Sequence, residues 1–223
     1  MARRLDETAA GRRPRANRTP TIASSRVRAF LDFAIGRGAS EPALLANADL
    51  SRAELAPPGA RIPCEKLVAA MRAGGALCGD PALALHFGEA VDVADRSLGG
   101  LVGHARERRA EVFSQLLADA MPALDGDAAG RRLQFEPTDD GVWVVDTHST
   151  QADTPELAEA SFASLVCTAR RWLHGARVVR AVHLKHAAPA YRAEVERVFG
   201  LPVSFGCARN ALLIDAAWMP AAA

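Results

Sequence analysis

The sequence predicts an α+β fold, with a helical lobe at residues 22–125 and then a sheet lobe at 126–215 of order ββαβαββ, its helices packed on one face. Three observations carry this expectation. Apolar residues recur at helical spacing through the first half of the chain. The period then shortens to that of strands near residue 131, and one long helical pattern interrupts those strands.

Taken in order, residues 1–21 form a basic leader. Its arginines, glycine and prolines carry no periodic apolar residues, the pattern of a disordered segment. Val27, Phe30, Leu31 and Ala34 then mark a helix that Gly36 and Gly38 stop. A short helix is expected at 41–47, and Ser51 can cap another turn. Ile62-Pro63 opens a helix striped by Leu67, Met71 and Cys78. Asp80-Pro81 opens the next, an acidic cap followed by proline where a missing N–H costs nothing. Leu83, Ala84, Phe87 and Val91 give that helix its apolar face. The glycine-rich run 97–103 suggests close packing or a break, and Val112 to Leu124 reads as an amphipathic helix.

Strands are expected at 131–136 and 142–147, joined by a hairpin whose Asp140-Gly141 pair has turn chemistry. The longest helix, 154–174, is opened by Pro155 and closed by His174-Gly175. Its broad apolar face comprises Leu157, Phe162, Leu165, Val166, Trp172 and Leu173, with Glu156, Glu159 and Arg170 elsewhere around the wheel. A strand at 178–185, a helix at 191–199 and strands at 203–205 and 212–214 complete the pattern. Residues 216–223 read as an exit linker toward a further domain.

Composition excludes several classes. No apolar run approaches the roughly 18 residues of a membrane span, and the basic N-terminus lacks the apolar core of a secretory signal, so a cytoplasmic address is expected. Cys64, Cys78, Cys167 and Cys207 are widely spaced with no CxxC pair, which fits free thiols. A net charge of +1 is far from the basic excess of a nucleic-acid-binding domain. The outline of a helix-turn-helix at 29–55 fails for the same reason, because its second segment holds Glu41 and Asp49 and no basic residue.

Catalytic chemistry has no foothold. No phosphate loop, dinucleotide fingerprint, nucleophile elbow or zinc helix is present, so neither an enzyme nor a cofactor is expected. His183 and His186 are three apart on an expected strand, which turns them to opposite faces, and no metal site is expected.

Three ordered segments carry a resemblance. Ala60-Arg61-Ile62-Pro63 is followed by a helix and Cys78-Gly79-Asp80-Pro81. Leu98-Gly99-Gly100-Leu101 leads to His104-Ala105. Finally, Val182-His183-Leu184-Lys185-His186 runs to Phe199-Gly200-Leu201-Pro202-Val203-Ser204-Phe205-Gly206 and Asn210-Ala211-Leu212. Together they resemble the N-terminal, "arabinose-binding"-type domain of AraC/XylS regulators of the ornithine-regulator-like group. Arg106 to Glu111 depart from that pattern.

The resemblance implies a domain that binds a small-molecule effector and forms a homodimer. Transcription would then be controlled through a C-terminal helix-turn-helix domain that this sequence lacks, and DNA would be met only there. A ligand is expected between sheet and helical lobe, near the aromatic and titratable residues Trp143, His148, Trp172, His104 and His183. Leu157, Phe162, Leu165 and Trp172 are the expected dimer contacts. The alternative is a stand-alone interaction or sequestering module without DNA binding.

Overall fold

A computed structural model of the chain describes residues 20–91, 133–147, 154–173 and 177–218, without the side chain of Trp172. Residues 1–19 of the basic leader, the glycine-rich run at 97–103 and the helix expected at 112–124 lie outside the described residues.

The first departure from expectation comes at once. Thr21–Ala23 forms β1, and Arg61–Pro63 forms β2, paired antiparallel with Ile22 opposite Ile62. In sequence, Thr21 ends the expected leader and Ile62-Pro63 opens an expected helix. Each segment is a three-residue strand that runs directly into a helix, β1 into α1 (Ser24–Gly36) and β2 into α4 (Cys64–Cys78). Pro63 explains the second case, because proline drives the residue before it into the extended region. The ribbon also supplies acceptors for both helix starts, since Ser24 N donates to Ala60 O and Cys64 N to Pro20 O.

Between them lie α2 (Glu41–Asn47) and α3 (Arg52–Leu55). Ser51 caps α3 in a reciprocal box with Glu54, as its sequence position suggests. Helix α4 ends on Gly79 at φ 64°. Asp80 Oδ1 accepts from Ala82 N at 3.0 Å, just ahead of α5 (Leu83–Ala90). Phe30 and Phe87 meet edge to face at 5.3 Å in the middle of this lobe's core, beside Leu44, Leu67 and Met71.

The second lobe contains a five-stranded mixed sheet in the order β3-β4-β7-β5-β6. Its strands are β3 (Leu133–Thr138), β4 (Gly141–Asp146), β5 (Val179–His183), β6 (Val203–Ser204) and β7 (Asn210–Asp215). Helix α6 (Pro155–Trp172) connects β4 to β5, and α7 (Arg192–Phe199) connects the parallel pair β5 and β6. The ββαβαββ order read from the sequence is the order observed. Alternation along the strands sends Val144, Val182, Leu212 and Ile214 into a core with Phe162, Leu165 and Val166 of α6 and Val195 and Phe199 of α7.

Helix α6 is buried along nearly its whole length, because α5 covers the side turned from the sheet. The two helices cross so closely that a Cβ on Gly88 would lie 2.3 Å from the carbonyl oxygen of Ala160. Glu159, expected off the apolar face, is therefore enclosed, with 1% of its side chain exposed. Phe162 and Leu165, expected at a dimer contact, fill the chain's own core, and Leu157 packs at the edge of the helical-lobe core.

A second correction concerns the exit. Ala216–Trp218 forms a 3-10 turn opened by Asp215 Oδ1 accepting from Ala217 N, and Trp218 joins the sheet-lobe core. A linker beginning at 216 would have left that indole in water.

Polar groups tie the lobes at the surface. His86 on α5 stands 2.7 Å from Asp80 Oδ2 through Nδ1 and 2.7 Å from Glu194 Oε1 on α7 through Nε2, so it satisfies both carboxylates only by donating from both nitrogens. Arg197 grips Glu89 and Glu194 together, and with His86 it holds the Glu194 carboxyl down to about 2.

Candidate functional site

Strand alternation leaves one face of the sheet turned away from α6. In β4, Trp143 stands opposite Glu136 of β3 and Leu213 of β7. One row further, Val145 pairs with Ala211, which pairs with His183 of β5. Trp143 and His183 are thus diagonal neighbours on one face, and their rings stack at 4.5 Å with 38° between planes. Arg209, just before β7, lays its guanidinium 5.6 Å from the Trp143 ring centre and forms an ion pair with Glu136. The result is a half-buried aromatic floor bounded by a fixed charge pair.

Two features of this floor are chemically open. Burial, joined by the nearby Arg209 charge, lowers the His183 pKa, so the ring is neutral at neutral pH and offers one donor and one acceptor. Among the described residues, neither its nitrogens nor the Trp143 indole N–H have a hydrogen-bond partner, although both rings are held in place by stacking. Such a surface can sandwich a flat apolar face and take up polar groups at its rim.

Of the five ligand candidates read from the sequence, the structure brings Trp143 and His183 together. His104, His148 and the side chain of Trp172 lie outside the described residues. The expected position, between sheet and helical lobe, is occupied instead by α6 and its contact with α5. Trp143 and His183 lie on the opposite face of the sheet, because β4 turns its odd-numbered residues away from the core and β5 does the same after the bulge at 179–181. Glu136 and Arg209 were not singled out in the sequence. Pairing Thr138 with Gly141 across the hairpin would have placed Glu136 opposite Trp143, whereas nothing local marks Arg209.

A second polar group sits on the covered face. Tyr191 donates from its hydroxyl to Glu159 Oε2 at 3.1 Å, while His186 Nε2 lies 3.3 Å from Glu159 Oε1 without hydrogen-bond geometry. Burial pushes the Glu159 carboxyl up to about 7. Unfolded, the same carboxyl titrates near 4.5. Its protonated form is therefore favoured by folding, and stability is expected to fall as pH rises from about 4.5 to about 7. The ceiling is about 3 kcal/mol, reduced to the extent that His186 carries a proton toward the carboxylate. Urea titrations of the chain and of Glu159→Gln across this range check it: the variant should have the flatter profile. Equal slopes would show that Glu159 does not titrate there.

All four cysteines are free. Among the described residues, no group of three or more His, Cys, Asp or Glu side chains could hold a metal, and no helix is long and apolar enough to cross a membrane. A family model described as the arabinose-binding domain of AraC transcription regulators, N-terminal, matches residues 38–221. No curated protein matches the chain.

Proposed function

The chain belongs to the family of N-terminal arabinose-binding domains of AraC transcription regulators, and from that premise we propose that it senses a small molecule on the Trp143–His183 face of its sheet. Membership supports an effector-binding regulatory domain rather than an enzyme class. The observation that carries the site is the stacked pair itself: two rings fixed in place, half-buried, whose hydrogen-bonding edges have no partner among the described residues. The effector in this reading is a small molecule with one flat apolar side and polar groups at its edge. The surface does not single out arabinose.

Regulation would follow if ligand binding favours one of two arrangements of a homodimer. With Phe162 and Leu165 inside the core, a partner meeting α6 would have to use other positions. DNA would be contacted by a helix-turn-helix domain outside this sequence, in the cytoplasm.

The test is a metabolite panel screened by thermal shift, followed by calorimetry on the ligand found. Trp143→Ala should lower affinity about tenfold or more, the loss of one buried aromatic contact. Its melting temperature should move little, because the ring is only half-buried. Unchanged affinity in Trp143→Ala overturns the site, and turnover of the ligand would favour an enzyme.

A further inference from the structure

A cavity of about 510 Å³ opens on the other face of the sheet, between the C-terminal half of α6, the start of β5, the end of α7 and the turn after it. Val166, Phe199 and Leu201 give it apolar walls, and three guanidinium groups, those of Arg170, Arg177 and Arg180, face a single carboxylate, Asp215.

The three arginines are held in different ways. Arg170 donates from Nη2 to Val198 O at 3.0 Å and to Phe199 O at 2.7 Å, the exposed end carbonyls of α7. Its guanidinium lies against Gly200, where a Cβ would come within 2.9 Å of Nη2. The group is thereby fixed, while Nε and Nη1 have no protein partner among the described residues. Arg180 is only loosely engaged, with Nε 3.8 Å from Asp215 Oδ2 and Nη1 3.8 Å from Asp140 Oδ1. Arg177 makes no hydrogen bond, ion pair or ring contact with the described residues.

Three guanidinium groups line the cavity beside one carboxylate, Asp215, with Asp140 reaching Arg180 from outside it, which leaves a positive excess against an apolar wall. An anion offsets that excess. Guanidinium forks match carboxylate and phosphate oxygens in geometry as well as charge, and the volume falls in the range of small-molecule sites. We propose that this cavity binds a small organic anion, a carboxylate or phosphate on an apolar body, with Arg177 and Arg180 on the anion and Val166, Phe199 and Leu201 on the body. The site is on the opposite face of the sheet from Trp143 and does not depend on the effector reading.

Calorimetry with hexanoate, hexyl phosphate and 1-hexanol tests it. Both anions should bind saturably at one site and the alcohol should not, and the tighter of the two anions identifies the preferred headgroup. Arg177→Ala should weaken binding about tenfold, the loss of one charge-assisted contact, whereas Trp143→Ala should leave it unchanged. Because Arg177 has no partner among the described residues, the variant should fold, which a circular-dichroism melt confirms. Arg180→Ala is the second arm. No binding by either anion, equal binding by hexanol, unchanged affinity in both arginine variants, or a loss confined to Trp143→Ala would each overturn the proposal.

Discussion

Gly88→Ala is expected to destabilise the chain by about 3 kcal/mol or more and to lower its melting temperature by roughly 10 °C. Two effects oppose each other. Alanine is the better helix former by about 1 kcal/mol, but its methyl carbon would lie 2.3 Å from Ala160 O and 2.8 Å from Ala160 Cα. Both neighbours are backbone, so no rotamer change relieves the overlap. Helices α5 and α6 would have to separate by more than an ångström. That would loosen two cores at once, because Phe87 and Ala160 belong to the helical-lobe core while Leu85 and Phe162 belong to the sheet-lobe core.

Graded controls isolate the cause. At Gly74 the added carbon would meet Leu83 Cδ2 at 2.9 Å and Phe30 Cζ at 3.1 Å, side-chain atoms that can shift, so Gly74→Ala should cost less. At Gly36 nothing lies within 4 Å, and alanine should be neutral or slightly stabilising. Thermal melts of the three variants check the order. If Gly88→Ala melted with Gly36→Ala, the close crossing of α5 and α6 would be wrong.

That crossing also marks where sequence reasoning reaches its limit. Gly79, Gly200 and the Ser51 cap are local signals that stand where their chemistry puts them, whereas α5 begins at Leu83, two residues after Asp80-Pro81, and the hairpin turns on Asp139-Asp140 with Gly141 already in β4. The order of helices and strands followed from them. The β1–β2 ribbon was not legible because its three-residue strands are too short to show a period of two, and their pairing joins segments some forty residues apart. Glu159 was misplaced for a related reason. On an isolated helical wheel a carboxylate reads as the solvent side, but α6 has no such side once α5 packs on it.

The candidate site divides in the same way. Trp143 and His183 stood out by residue type, yet their contact depends on β7 entering between β4 and β5, which no local pattern encodes. Arg177 and Arg170 were invisible as a pair, since the cavity that unites them is made by α6, β5 and α7 together.

Gly141→Ala is the second substitution expected to be severe, and it connects the fold to the proposed site. The residue has φ 149°, a conformation that side chains strongly disfavour. Its added carbon would fall 1.9 Å from Ile214 O and 3.0 Å from Ile214 C. The Asp-Gly signal was therefore right for a reason other than the turn itself. Among the described residues Asp49 is the only non-glycine with positive φ, so the hairpin does not use a left-handed aspartate, and the glycine is needed where β7 passes. Any side chain at 141 must push β7 from β4 at their Gly141–Asp215 pairing, two residues from Trp143. Strain and overlap together are expected to cost about 3 kcal/mol or more. If part of the population still folds, the β4–β7 register around Trp143 and Leu213 should be disturbed. Effector affinity would then fall along with stability, whereas Gly88→Ala at matched folded fraction should leave it nearly intact. Native-like stability in Gly141→Ala would mean that β7 does not approach β4 as described. Normal effector affinity at reduced stability would instead detach the Trp143 face from ligand binding.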